Sequence, residues 1–186
     1  MEIAIVLGST RQGRQSHRLA YYLQAQLLKN GATVHLIDLK DYALPLFGIA
    51  LSIEQQKSVE EISALMKRSQ AVVIVTPEYH SNISAATGNA LEHCGLNLVG
   101  KVTAIAAASA TQFGGVHAAN NLRITLLNLG THLCSKRLLV PEIHTAFTQD
   151  NMPVKEEIKN QAAQFISELL LYAGLIKDTA LHEQHS

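Results

Sequence analysis

The sequence predicts an α/β protein: a three-layer, doubly wound fold with a five-stranded parallel sheet in the order 2-1-3-4-5. Three observations predict it. Five apolar, β-rich segments alternate with helical patterns along the chain, which calls for right-handed βαβ crossovers. Two of these segments, AVVIVT at Ala71–Thr76 and VTAIAAA at Val102–Ala108, are continuous apolar runs, as in strands covered on both faces. At 186 residues, with 47% hydrophobic and 16% charged residues, the chain is long enough for one domain and apolar enough to fill its core. Residues 1–175 are read as that single domain. The tail, 176–186, has little to bury and is expected to fray.

The elements follow in order. The first strand is Ile3–Leu7, which stops at Gly8. Ser16–Lys29 places Leu19, Ala20, Leu23, Leu27 and Leu28 near helical spacing, and KNGA closes it at Gly31. Thr33–Leu36, continuing to Leu39, is the second strand. Ser52–Ser69 reads as a helix with Ile62, Leu65 and Met66 on one stripe. Ala71–Thr76 is the third strand, 84–93 a short helix, and Val102–Ala108 the fourth strand. Val116–Leu129 is a helix, and the fifth strand lies near Cys134–Val140, after NLGTH. Val154–Leu171 is the last helix, with Pro153 suited to its first turn. Five strands in this arrangement fit the flavodoxin-like order rather than a six-stranded dinucleotide fold. Its crevice lies at the carboxyl ends of the strands, where strand order reverses. The loops after strands 1, 3 and 4 are therefore the ones to read.

Bulk charge narrows the field. Lys plus Arg is 15 and Asp plus Glu is 15, so the formal net charge is zero. That argues against a long-range field gathering nucleic acid or an acidic membrane. Cys94 and Cys134 form neither a CxxC pair nor a zinc spacing, and read as free thiols in a reducing compartment. No basic leader opens the sequence, and no apolar run approaches the ~18–20 residues of a membrane span. The expectation is a cytoplasmic protein without membrane insertion or nucleic-acid partner. The nine histidines are scattered, and no metal site is expected.

The loop after strand 1 is GSTRQGRQS, residues 8–16. Ser9 and Ser16 supply hydroxyls, Arg11 a planar fork, and the helix beginning near Ser16 a positive end with unpaired N–H groups. The set suits a terminal phosphomonoester. It is neither a P-loop nor a GxGxxG turn. An ordinary βα turn with Ser16 as N-cap is the structural alternative. Arg14 is either a second phosphate cation or a solvated side chain. The loop after strand 3 is TPEYHSNIS, residues 76–84. Pro77 fixes the backbone, and amides from Glu78 to Asn82, including those of His80 and Ser81, can meet a planar ring rich in carbonyls and nitrogens. Glu78 is a general base, or else a helix-capping or dimer-contact carboxylate. Tyr79 stacks or packs, and His80 is a ligand donor or a plain loop histidine. The loop after strand 4 is ASATQFGGVHAANNLR, residues 108–123. Ser109, Thr111 and Gln112 offer donors there, while Gly114-Gly115 either admits a ligand to the backbone or turns the chain into the next helix.

Taken together, GSTRQGRQS at 8–16, TPEY at 76–79 and FGGVHAANNLRITLLNLG at 113–130 resemble the NADPH-dependent FMN reductase family of the flavodoxin-like superfamily, in order and spacing over nearly the whole chain. The resemblance implies that Ser9, Arg11 and Ser16, with Arg14 beside them, bind the phosphate of FMN. It implies that Pro77, Glu78, Tyr79, His80, Ser81 and Asn82 line the ring, and that Ser109, Thr111, Gln112 and Gly114 close the pocket. It implies NADPH or NADH as hydride donor, a small electron acceptor such as a flavin or quinone, and a homodimer or homotetramer. No side chain is expected to act as catalytic nucleophile or base, since the flavin carries the chemistry. A quinone- or azo-type reductase on the same flavin and a non-catalytic FMN electron carrier are the alternatives. The family's frequent Asn-Gly after Pro-Glu-Tyr is replaced by His80-Ser81, its Pro-Gly by Ser84-Ala85, a lysine by Gly88 and a tryptophan by His93. A Gly-Gly is replaced by Ala110-Thr111.

Overall fold

A computed structural model describes the backbone of residues 1–42 and 44–183 and side chains up to 176. The expected tail therefore falls mostly outside the described side chains. The elements run β1 (Glu2–Leu7), α1 (Ser16–Lys29), β2 (Thr33–Asp38), α2 (Ile53–Arg68), β3 (Ala71–Pro77), α3 (Ala85–Cys94), β4 (Val102–Ala108), α4 (Val116–Asn128), β5 (His132–Leu133), β6 (Leu138–Val140) and α5 (Glu156–Glu183). All strand pairings are parallel, in the order β2-β1-β3-β4-β5, with β6 also on β4. β1 lies between β2 and β3, so the order reverses beside its carboxyl end.

Side-chain alternation divides the core into two layers. Ile3, Ile5, Leu7, Val73 and Val75 face α1 and α5, packing with Leu19, Leu23, Leu27 and Phe165. Ala4, Val6, Val72 and Ile74 face the other way, onto Ile62, Met66, Leu91 and Leu122 of α2, α3 and α4. Full burial of one Leu or Ile is worth roughly 1.5–3 kcal/mol, so each layer is held by many comparable contributions.

The fifth strand differs from expectation. Two short pieces share its place on β4: His132–Leu133 against Val102–Thr103, then Leu138–Val140 against Ala106–Ala108. Between Leu133 and Leu138 the chain places four residues where β4 places two between Thr103 and Ala106. The polar stretch Ser135–Arg137 causes the bow. Ser135 Oγ and the Lys136 amide both donate to the Glu168 carboxylate on α5, at 2.6 Å each, which draws the backbone off the ladder. Among the described residues, no helix is long and apolar enough to cross a membrane.

Candidate functional site

The carboxyl edge carries a cleft of about 200 Å³ between the loops after β1, β3 and β4 and the segment after β6. Ser9, Arg11, Gln15 and Ser16 line it from the first loop, Pro77, Glu78 and Tyr79 from the second, and Ala108, Ser109 and Ala110 from the third. Ile143 and His144 complete it.

The first loop leaves the sheet through Gly8. A Cβ there would stand 1.8 Å from Thr87 Oγ1 on α3, so only glycine lets the two elements close. Ser84 caps the Thr87 amide at 3.1 Å and donates from Oγ to the Gly8 carbonyl at 2.6 Å. The loop is thus held from α3. From the other side Arg14 holds it: its guanidinium forms a bidentate pair with Asp38 and also donates to the Ser9 carbonyl. The hydrogen bond to Asp38, ahead of the cost of burial, raises the Arg14 pKa above its ordinary value.

What remains at the start of α1 is an unpaired donor set. Gln15 is the N-cap residue and makes no side-chain cap, and no acid stands in the first turn. Ser16 is the first helical residue, not the cap, and its buried Oγ has no hydrogen-bond partner among the described residues. Next to it, the buried Nδ1 of His17 is also unpartnered. Burial is the largest influence on His17 and holds its pKa below the ordinary value. Arg11 is exposed, its guanidinium 5.6 Å from the Tyr79 ring centroid, and Ser9 Oγ lies 3.0 Å from the Tyr79 hydroxyl. A buried hydroxyl without a partner costs about 1–3 kcal/mol. An oxyanion at this helix end would satisfy the hydroxyl and the free amides together and meet the exposed Arg11 guanidinium. The donor set therefore fits a phosphate group.

The second loop is largely committed to its own fold. The Glu78 amide donates to the Ala108 carbonyl at 2.9 Å, and Tyr79 and Asn82 exchange both backbone bonds at 2.9 and 3.0 Å. His80 and Ser81 form the two-residue tip with φ of 50° and 59°, the reversal that Asn-Gly suits best. The Glu78 carboxylate accepts from the His117 and Ala118 amides at 2.9 and 3.1 Å, and so caps α4. In the third loop Ser109 Oγ turns to the Thr111 carbonyl and hydroxyl, both at 3.0 Å. Gly114 and Gly115 have φ of 63° and 85°, and a Cβ on Gly115 would meet Ala107 Cβ at 2.9 Å. The glycine pair turns the chain into α4 flush against β4.

Of the residues expected from the sequence, Ser9, Arg11, Ser16, Pro77, Glu78, Tyr79 and Ser109 come together in the cleft. Arg14 does not line it, its fork being taken by Asp38. His80 and Ser81 are exposed at the hairpin tip. Asn82 faces a groove between α3 and α4, and Thr111 is held beside Ser109. Gln112 and Gly114 line a separate cavity beyond the third loop. Sequence reasoning missed Gln15, Ala108, Ala110, Ile143 and His144 as lining residues. Gln15, Ala108 and Ala110 stood inside the quoted loops. Ile143 and His144 follow a strand whose break hid its carboxyl end. Among the described residues, no group of His, Cys, Asp and Glu is placed to hold a metal.

Residues 1–145 match the family model described as NADPH-dependent FMN reductase. The chain is 25% identical over 179 residues to an NADPH azoreductase of Bacillus sp. (strain OY1-2), covering 96% of each. It is 25% identical to an NAD(P)H-dependent FMN reductase of Pseudomonas aeruginosa, over 92% of this chain and 95% of the relative. Among solved structures, the NAD(P)H:(acceptor) oxidoreductase FerB of Paracoccus denitrificans superposes with a TM-score of 0.74 at 24% identity, covering 90% of this chain and 96% of that one. An FMN-dependent NADH-azoreductase of Bacillus anthracis, in complex with FMN, gives 0.63 at 16% identity, over 93% and 100% of the two chains.

Proposed function

The chain belongs to the NADPH-dependent FMN reductase family, and we propose that the cleft between its three loops holds FMN, phosphate at the start of α1 and ring toward Tyr79 and the 108–110 backbone. The protein is an FMN-dependent NAD(P)H oxidoreductase. FMN, when bound, supplies the chemistry: it takes hydride from a nicotinamide donor and returns electrons to an acceptor. The observation that carries the placement is the unpartnered, buried Ser16 Oγ at an uncapped helix end.

The side chains orient and hold. With Arg14 engaged by Asp38, Arg11, which has no carboxylate partner among the described residues, grips the phosphate from the solvent side. Ser9 and Ser16 hold it from within. Glu78 lines the cleft, yet its charge is spent on α4, so it does not repel the phosphate. The His80 and Ser81 amides make no hydrogen bond among the described residues. They are the donors of the second loop left to meet the ring's carbonyl edge, where preorganised N–H groups stabilise growing negative charge. The acceptor is a small molecule: a flavin, a quinone or an azo compound.

Purified protein should be yellow and release FMN on denaturation, and it should oxidise NADPH or NADH in the presence of free flavin, a quinone or an azo dye. A colourless preparation that takes up no FMN would sink the placement. We further read residues 1–175 as one domain, the protein as cytoplasmic, and its working form as a homodimer or homotetramer. Exposed Leu96, Val99, Ile124 and Leu127 around α3 and α4 support the assembly. Light scattering of wild type against Ile124→Glu tests it, with a monomeric wild type as the contrary result.

A further inference from the structure

A second cavity of about 360 Å³ opens on the β6 edge of the sheet, between the third loop and the start of α5. Gln112, Phe113, Arg137, Lys155, Glu157 and Gln161 line it. It adjoins the FMN cleft. The third loop and the segment after β6 wall both spaces, and they are tied by Glu142 N–H to the Thr111 carbonyl at 3.1 Å and Ile143 N–H to the Ser109 carbonyl at 3.0 Å.

The lining has a particular chemistry. Phe113 is 59% exposed and offers an aromatic face at the cavity. Arg137 is half-buried and donates to the Asn120 amide oxygen at 2.5 Å. It has no carboxylate partner among the described residues. Lys155 stands at the rim, paired with Glu142 at 3.1 Å. Glu157, the acid of the lining, accepts from Gln161 at 3.2 Å. A planar face and a guanidinium without a carboxylate partner among the described residues, in one cavity, suit a phosphorylated aromatic ligand, since the guanidinium forks onto a phosphomonoester and the ring stacks on a base.

We propose that this cavity takes the adenosine end of NADPH, Phe113 stacking on the adenine and Arg137 reading the 2′-phosphate. The inference rests on the reading that the nicotinamide meets FMN in the neighbouring cleft. A donor reaching from there across residues 111–114 lays its other end on the β6 edge. NADH lacks the phosphate, so Arg137 makes the protein prefer NADPH.

The test uses FMN-loaded protein and Arg137→Ala, with steady-state kinetics on both donors and calorimetric titration of adenosine 2′,5′-bisphosphate. Loss of a charge-assisted bond costs about 1.5–3 kcal/mol, or roughly 10- to 100-fold. KM for NADPH should rise by that factor at unchanged kcat, while KM for NADH should move less than about 2-fold. The bisphosphate should bind wild type, compete with NADPH, and lose affinity in parallel in the variant. Arg137→Lys should fall between, because an ammonium keeps the charge without the fork. Equal KM changes for both donors, a wild type indifferent to the 2′-phosphate, or no calorimetric binding of the bisphosphate would each overturn the proposal. FMN-loaded protein that binds the bisphosphate through Arg137 and oxidises neither donor would sink the functional reading and leave this site standing.

Discussion

The helices α1 and α4 both begin at the carboxyl edge of the sheet, and their first turns are built in opposite ways. At α4 the chain brings its own anion: the Glu78 carboxylate takes the His117 and Ala118 amides. At α1 it brings none, and leaves a buried hydroxyl unpaired beside an exposed arginine. Elsewhere the same sequence caps carefully, with a capping box of Ser52 and Gln55 on α2 and Ser84 on α3. The bare end of α1 is therefore a choice of residues and not a shortage of capping residues. On the proposed reading, the end of α1 that the chain leaves unsatisfied is where the phosphate of FMN sits.

Arg11→Ala gives the largest expected effect on this contrast. It should weaken FMN about 10- to 100-fold, the equivalent of one charge-assisted bond, and leave riboflavin almost unchanged because it has no phosphate. Equal losses for the two ligands, read by fluorescence titration, would show that α1 is not the phosphate end. At the other helix, Glu78→Ala should remove about 1–2 kcal/mol of stability, a drop in Tm of roughly 2–8 °C. Flavin reduction at saturating NADPH should change by less than ~3-fold. A fall of ~100-fold with FMN fully bound would make Glu78 a catalytic group and dissolve the comparison.

Serine truncations sharpen it through their signs. Ser84→Ala removes the α3 cap and the bond to Gly8, and should cost about 1 kcal/mol or more. Ser16→Ala removes an orphan, so the FMN-free protein should be as stable as wild type or more so, while FMN binds roughly 3- to 10-fold less tightly. Matching destabilisation of both variants, measured by denaturant unfolding without FMN, would mean that Ser16 is an ordinary structural serine. The smallest change is expected at the hairpin tip. Ser81→Gly relieves a left-handed residue and should add about 0.5–1 kcal/mol of stability, with FMN affinity unaltered. A loss of stability would show that the Ser81 side chain holds the turn.

Much of this was legible in the sequence. The unbroken apolar runs of β3 and β4 fixed the parallel sheet, and the positions of Gly8 and Pro77 marked where its edge begins. GSTRQGRQS, by its hydroxyls and arginines before a helix, raised the phosphate reading that the proposed placement takes up. Other features were decided by partners far away in sequence. Nothing local shows that Arg14 turns back to Asp38 rather than forward into the cleft, since that depends on where β2 ends. Helix capping was one of the roles the sequence left open for Glu78; which helix it caps, some forty residues on, becomes visible only when Gly115 has turned α4 toward it. The break in the fifth strand depends on Glu168 of α5, which pulls Ser135 and Lys136 outward. His80-Ser81 is a case where the family's Asn-Gly named the turn more clearly than this sequence does.

That break has a consequence for how the protein behaves in a crowd. A sheet margin with a long run of free amides and carbonyls is a template on which another chain can add a strand. Here the β4 side ends in pieces of two and three residues, separated by a bowed stretch carrying Lys136 and Arg137. A foreign strand would find no continuous ladder to extend and would meet two cations where it tried. The same polar tripeptide that interrupts the fifth strand thus protects this sheet margin against fibrous growth, at the modest loss of a few ladder bonds.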